Sequence, residues 1–272
     1  LKKLLMKKRN EIENFLKKFN LEDFNKTDKV NKYFEFFELN KLLSLNNHNI
    51  NNICKPEEND LSRIHFLILN RKVISYLEFG SGYSTLFAAH AISILKYFFY
   101  DYVKDKFRYD NPFRIYSIEE SRKYLTLTKK LCKKFQNFIS IKFSPVDITV
   151  DNFKLVQSYR NLFDINPDFI YLDGPSTYSN KKKVNGLSFN NNFRMPLSID
   201  ILKYEYLVEP GTFILVDGRA TNAIFLKNHL SRSWKMERDF EGDVFFFELQ
   251  DDYLGKLNKE KIKFCLKNKW ML

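Results

Sequence analysis

The run Val73-Ile74-Ser75-Tyr76-Leu77-Glu78-Phe79-Gly80-Ser81-Gly82-Tyr83-Ser84-Thr85-Leu86-Phe87 constrains the chain more than any other. An apolar, β-branched stretch ends in an acid, breaks into Gly-Ser-Gly and continues at once into the apolar segment Leu86 to Phe99. That order predicts a buried strand, a tight turn and a helix N-terminus. Glycine lets the backbone turn sharply and approach a ligand without a Cβ in the way. The unpaired N–H groups of the first helical turn, with the Ser84 and Thr85 hydroxyls beside them, suit a carboxylate or phosphate. Glu78 is expected to face the same pocket from the strand end. There it would repel a phosphate-rich ligand and attract an ammonium or hydroxyl group.

A dinucleotide fingerprint has a third glycine that brings helix and strand close together; here Thr85 stands near that position. The string from Glu78 to Thr85 instead resembles motif I of the class I S-adenosylmethionine-dependent methyltransferases. The resemblance extends over about Leu61 to Leu249. It implies that Glu78, Gly80, Ser81, Gly82, Ser84 and Thr85 cradle the amino-acid end of S-adenosylmethionine. An ordinary strand-to-helix turn without a ligand is the alternative for the same residues.

Downstream of Val73 the pattern alternates strand and helix, the mark of a doubly wound parallel sheet. Strands are expected at Val73–Phe79, Arg114–Glu119, Ile139–Phe143, Asp168–Leu172 and Thr212–Val216. Helices are expected at Ser84 to Asp105, Ser121 to Lys134, Leu197 to Val208 and Thr221 to Leu230. Trp234 to Arg238 and Asp243 to Leu249, joined by Asp239-Phe240-Glu241-Gly242, read as an antiparallel C-terminal hairpin. The expected fold is α/β: a Rossmann-like, seven-stranded, mostly parallel sheet with an N-terminal helical extension. The organisation is read as an extension and linker over 1–60, a methyltransferase domain over 61–250 and a tail over 251–272. In the extension, Leu4, Leu5, Ile12, Phe15, Leu16 and Phe19 recur at helical spacing. Such faces pack on their own domain or join two copies as a homodimer. Asp60 or Ser62 would cap the helix that follows.

Three further acids fall at strand ends, where α/β ligand sites form. Glu119 closes the second strand and is placed to accept both ribose hydroxyls of an adenosine. The interval from Gly82 is longer than the usual ~20 residues, an excess assigned to a helix extension and loop over Tyr97 to Asn111. Otherwise Glu119 is a solvated acid at a helix start. Asp173-Gly174-Pro175 ends the fourth strand and Asp217-Gly218-Arg219 the fifth. Two carboxylates at one edge could bind a divalent cation, or one could remove a proton from an acceptor hydroxyl. A guanidinium so close competes with a cation. Asp173, Asp217 and Arg219 are therefore read as a metal-free catalytic cluster, against the alternative of an Asp217–Arg219 salt bridge that only seals the sheet edge. By the resemblance, Asp173 also contacts the cofactor, and Val146 and Asp147, after the third strand, line its adenine ring.

Other features bound the function from outside. The net charge of +12 and the lysines scattered among Asn, Phe and Ile suit an AT-rich coding sequence as well as a nucleic-acid partner. Nucleic acid is set second to a small-molecule or saccharide acceptor methylated at oxygen. An RNA methyltransferase, or a non-catalytic protein of the same fold, are the alternatives. No apolar run reaches the ~20 residues of a membrane span, and Leu1 to Asn20 is too charged for a signal peptide, so a cytoplasmic location is expected. Cys54, Cys132 and Cys265 are too dispersed for a zinc site. His48, His65, His90 and His229 lie away from the strand ends and read as structural. The polar excursion Thr177 to Met195 reads as a loop over the site. Its Lys and Arg would suit an anionic acceptor.

Overall fold

Seven strands form one sheet in the order β3-β2-β1-β6-β7-β9-β8, where β1 is Ser75–Phe79, β2 Arg114–Glu119, β3 Ile139–Phe143, β6 Phe169–Leu172, β7 Phe213–Asp217, β8 Trp234–Asp239 and β9 Val244–Leu249. The protein is described here by a computed structural model covering residues 9–44, 57–176, 181–190 and 197–266. Leu4, Leu5, His48, Cys54, most of the polar linker, and residues 177–180 and 191–196 of the expected loop lie outside the described residues. Strands β3, β2, β1, β6 and β7 pair in parallel, and β9 runs antiparallel to both β7 and β8. The doubly wound sheet and its antiparallel end are as the alternation of strand and helix implies.

Side chains alternate across the central strands, as a period of two requires. On one face Tyr76, Ile115, Phe169, Tyr171, Phe213, Leu215 and Phe246 join one core. On the other, Leu77, Ile118, Ile170, Leu172, Ile214, Val216 and Phe247 join a second. The helix α5, Tyr83–Phe107, buries nearly its whole first half, Thr85 to Ile92. A helix apolar on all sides belongs inside a protein, and this one lies against the first core. Beside it runs α4, Glu58–Asn70, with Leu61, Ile64, Leu67 and Ile68 buried.

The N-terminal helices α1 (Arg9–Leu16), α2 (Thr27–Phe37) and α3 (Asn40–Leu43) are not an appendage. Ile12, Leu16, Val30, Tyr33, Phe34 and Leu42 belong to the same buried cluster as the sheet face. Phe15, Phe19 and Phe36 pack against the same cluster while half-buried. Between α1 and α2, Asn20 accepts from the Asp23 N–H and Asp23 from the Asn20 N–H, closing a capping box on the turn Leu21–Asn25.

Three features differ from the sequence reading. A separate two-stranded antiparallel sheet, β4 (Val146–Asp151) with β5 (Lys154–Tyr159), fills the segment left without strands. Its turn residues Asn152 and Phe153 both have positive φ, 45° and 64°. The helix expected over Leu197 to Val208 is only one turn, α7 at Asp200–Tyr204, because Leu197 O accepts from the Gln157 N–H at 2.9 Å and the Ile199 N–H donates to Gln157 O at 3.2 Å, holding the chain before it as a bridge against β5. The expected tail carries α9, Lys256–Leu266. Phe264 packs edge-on to Phe99 at 5.3 Å, and Lys261 is paired with Glu209 at 3.0 Å. Among the described residues, no helix is long and apolar enough to cross a membrane.

Candidate active site at the sheet edge

The turn after β1 and the turn after β6 meet backbone to backbone. Gly80 has φ +97°, a region that glycine enters without strain, and its N–H donates to Ile118 O at 2.9 Å. Asp173 N–H donates to Phe79 O at 3.1 Å. A Cβ on Gly174 would stand 2.6 Å from Gly80 N and 2.8 Å from Phe79 C, so only glycine fits there. At Gly82 an added Cβ meets nothing within 4 Å. Its freedom is that of a site wall, not of a packed turn.

Above these turns lies a cavity of about 450 Å³, within the size range of small-molecule sites. Gly80, Ser81, Gly82, Ser84, Glu119, Asp173, Asp217 and Arg219 all line it. The sequence reading thus brings one residue set to one place. Glu78, Thr85 and Val146 are not among the lining residues. Glu78 is fully buried beneath the turn, where its carboxyl accepts from the hydroxyls of Ser84, Thr85 (2.6 Å) and Ser117 (3.0 Å). The expectation that Glu78 faces the pocket is therefore corrected: it turns inward because three hydroxyls converge on it from the strand below and the helix start. Ser84 and Thr85 in turn spend their donors on Glu78. Burial raises Glu78 to about 7 against these three donors. It acts as the post to which the loop is tied.

Glu119 does reach the cavity, held by Ser81 Oγ at 2.7 Å and the Ser121 N–H at 2.8 Å. Burial, reinforced by the neighbouring Glu120, raises it to about 7. Glu120 also lines the cavity and accepts from Tyr159 Oη at 2.9 Å and the Ser176 N–H at 2.8 Å. It locks the β5 end and the turn after β6 to the end of β2. Tyr124, Leu127 and Leu131, from α6 at Arg122–Leu131, give the same end an apolar wall.

At the other strand ends, Asp217 accepts from Tyr171 Oη at 2.6 Å. Burial and the nearby Asp60 raise it to about 7, with Tyr171 acting the opposite way. Asp173 leaves 57% of its side chain open to the cleft. The cleft walls push it upward and Arg219 pulls it down; so much contact with water argues for a smaller displacement than at buried Glu78. Arg219, at the start of α8 (Ala220–His229), does not pair as expected. Its Nη atoms donate to the backbone carbonyls of Asp173 and of Pro175 (3.1 Å), while Nε stands 3.9 Å from Asp173 Oδ1. The reading of Arg219 as a direct neutraliser of both carboxylates is corrected: the guanidinium is drawn onto the carbonyls of the turn that it braces. Among the described residues, no group of three His, Cys, Asp or Glu side chains converges as a metal site.

Val146 lies on β4 as part of the second core, opposite Tyr159, and is not among the cavity-lining residues. Asp147 is held by Arg160 at 2.6 and 2.7 Å. The hairpin draws both away from the place the resemblance implied. The residues that sequence reasoning missed are Glu57, Asp60, Leu61 and Ile64 on or just before α4, with Tyr171 and Glu120. Asp60 was legible only as a helix-start acid. Tyr171 was legible only as a core position; its hydroxyl crosses to the end of the neighbouring strand.

No family model matches the chain, and no curated protein matches it. Among solved structures the chain is similar to an SAH-bound methyltransferase of Podospora anserina, 14% identical over 82% of this chain and 88% of that one, with a TM-score of 0.45. It is also similar to an O-methyltransferase of Bacillus cereus in complex with SAH, 12% identical over 83% and 92%, TM-score 0.40. An RNA methyltransferase of Salinibacter ruber in complex with S-adenosyl-L-homocysteine is 12% identical over 75% and 99%, TM-score 0.36.

Proposed function

We propose that the chain is an S-adenosylmethionine-dependent methyltransferase that acts on an oxygen of a small-molecule acceptor. The observation that carries this reading is the single cavity shared by the glycine turn after β1, Glu119 at the end of β2, and Asp173 and Asp217 at the ends of β6 and β7. The residues fit the cofactor. Gly82 leaves open the space a side chain would fill, and Gly80 and Ser81 present backbone to it. Gly80, Ser81 and Gly82 would hold the amino-acid end and Glu119 the ribose hydroxyls. Bound there, the cofactor supplies an electrophilic methyl group on a sulfonium.

The chain's own part is to position and to move a proton. Glu78 fixes Ser84 and Thr85, and so the loop. Proximity of two bound reactants removes much of the entropic barrier. Asp217, titrating near neutrality and oriented by Tyr171, is suited to take the acceptor's hydroxyl proton; Asp173 is the second candidate base. Carboxylates from α4 and from the ends of β2, β6 and β7 line the cavity, which disfavours a phosphate backbone and supports a small molecule over nucleic acid as acceptor.

Calorimetry with S-adenosylhomocysteine tests this reading. Stoichiometric binding is expected, lost in Gly82→Val. In Glu119→Ala it should weaken by about 1–3 kcal/mol, the cost of leaving hydroxyls unpaired. A wild-type chain that gives no heat at about millimolar ligand rejects the enzyme.

A further inference from the structure

The end of the sheet opposite the cavity carries a group of exposed apolar side chains. Strand β7 begins there and β9 ends there: Phe213 pairs with Glu248 in antiparallel register, and the Gly211 N–H donates to Leu249 O at 2.8 Å. In the segment after β9, Tyr253, Leu254 and Leu257 leave 53%, 67% and 47% of their surface open. Tyr206 and Leu207, 76% and 54% exposed, belong to the same end. Arg232 ties them to it, donating to the carbonyls of Glu205 and Val208 and pairing with Asp251 at 2.7 Å. Single exposed apolar side chains are ordinary; five gathered at one end of a molecule mark an interaction surface.

The segment after β9 is held in place. Asn258 accepts from the Leu254 N–H at 3.2 Å and donates to Glu209 at 3.3 Å and to Pro210 O at 3.4 Å, which fixes it onto the turn before β7. Cations surround its apolar side chains. Lys256 and Lys259 are exposed, with Lys259 Nζ 5.5 Å from the centre of the Tyr253 ring. Exposed Arg108, at the end of α5, shares a cleft of about 540 Å³ with Leu254 and Leu257. The acids here are paired with other cations: Glu209 with Lys261 at 3.0 Å, Asp251 with Arg232, and Glu260 with Lys263 at 3.1 Å. Asp252 is the exposed exception.

We propose that this end of the molecule docks on an anionic lipid bilayer. Leu254 and Leu257 dip below the headgroups, Tyr253 lies at their level, and Lys256, Lys259 and Arg108 face the lipid phosphates. Aliphatic side chains on an outward loop gain from contact with acyl chains, whereas nucleic acid offers bases to stack on rings and no aliphatic phase. Tyrosine has the amphipathic ring favoured at the membrane–water boundary, and each cation near an anionic leaflet adds attraction. No helix among the described residues is long and apolar enough to cross a membrane, so the contact is peripheral. The sheet stands between this face and the cavity, so docking leaves the cavity mouth open to water.

Vesicle sedimentation with the full chain tests this, using phosphatidylcholine alone and phosphatidylcholine with about one-third phosphatidylserine. The anionic vesicles should bind at least about tenfold more tightly than the neutral ones, and less so as salt rises. Leu254→Ser with Leu257→Ser, both at exposed positions, should cut that affinity at least about tenfold. The same variant should keep the wild-type thermal midpoint and the wild-type response to S-adenosylhomocysteine. Lys256→Gln with Lys259→Gln should weaken binding several-fold on anionic vesicles alone. No sedimentation with anionic vesicles, equal binding to both kinds, or undiminished binding in the leucine variant overturns the proposal. Poly-glutamate that binds as tightly as the vesicles, and is lost in the leucine variant, assigns the face to an acidic protein and overturns it too. So does a dimer in analytical ultracentrifugation that the leucine variant dissolves, since the face then belongs to a second copy of the chain. A wild type that binds vesicles but not S-adenosylhomocysteine leaves this inference standing and removes the enzyme reading alone.

Discussion

Glu78 has the most tightly specified side chain of the site, and it touches no open space. Replacing it with Ala would take the acceptor from the buried Thr85 and Ser117 hydroxyls and from half-buried Ser84, and leave a void. An expected loss of about 2–4 kcal/mol follows from unpaired polar groups and cavity cost together, measured by urea unfolding. Glu78→Gln keeps the volume and isolates the titration. The folded carboxyl is raised to about 7 from an ordinary value near 4.5, so between those values the folded state holds more proton than the unfolded one. The stability of the wild type relative to Glu78→Gln should therefore fall as pH rises from about 4.5 to about 7, and level off above. A difference that grew with pH would show the carboxylate to be favoured by its hydroxyls over its burial. Gly174 makes a sharper residue-scale contrast with Gly82. Gly174→Ala drives a Cβ into the Gly80 and Phe79 backbone and should depress the thermal midpoint strongly, whereas Gly82→Val should leave the midpoint near wild type and abolish cofactor binding. At this scale the sequence showed which residues gather at the site, since strand-end position is written in the pattern of apolar runs. It did not show which way they point. Glu78 turns inward and Arg219 binds carbonyls because of partners, such as Ser117 and the Asp173–Pro175 turn, that lie on other strands.

Elements were legible where hydrophobic period and punctuation agreed. Arg114–Glu119 and Ile139–Phe143 match the observed strands residue for residue, because each is a short run closed on its C-terminal side by a polar residue, Glu120 or Ser144. The β4–β5 hairpin was not legible, although Val146 to Val150 alternates. Its turn is Asn152-Phe153, and a bulky residue in the second position hides the signal that Asn-Gly would give. Phe153 stands fully exposed with φ 64°, a conformation that costs an L-residue roughly 1–2 kcal/mol. Among the described residues, nothing packs on its ring in return. Phe153→Gly should therefore stabilise the chain by a few tenths to about 1 kcal/mol, strain relief exceeding the entropy that glycine adds to the unfolded state. Differential scanning calorimetry reads this as a raised midpoint; a lowered one would mean that the ring makes contacts that offset the strain. The short α7 and the late α9 were misread for a related reason: their boundaries are set by contacts such as Asp200 to the Tyr159 N–H and Gly211 against Ile262, not by local propensity.

For the whole molecule, the boundary drawn near residue 60 from composition separates segments that the structure packs into one core. Tyr33 Oη and His65 Nδ1 lie 2.9 Å apart, and His65 Nε2 and His90 Nδ1 again 2.9 Å, a buried chain joining α2, α4 and α5. Phe24 packs 5.0 Å from Phe66, and Phe34 5.8 Å from Phe87. Asn25 links Arg63 to Asp239 on β8, so the N-terminal segment also reaches the sheet's antiparallel end. Helix α4 joins this packed segment to the site, because Asp60, Leu61 and Ile64 on it line the cavity. Burying Phe24, Val30, Tyr33, Phe34, Phe37 and Leu39 contributes roughly 1.5–3 kcal/mol each, together as much as the ~5–15 kcal/mol by which a whole domain is stable. A chain lacking residues 1–44 should therefore fail to fold cooperatively and expose the apolar flanks of α4 and α5. The expected signs are loss of the near-ultraviolet circular dichroism of its many aromatic side chains and a broad urea transition. Coexpression with the 1–44 segment as a separate peptide should restore part of the signal if packing alone is missing. A truncated chain that unfolds in one sharp transition and binds S-adenosylhomocysteine like the full protein would show that the extension is a true appendage. The wall that α4 gives the cavity would then stand without the helices packed behind it.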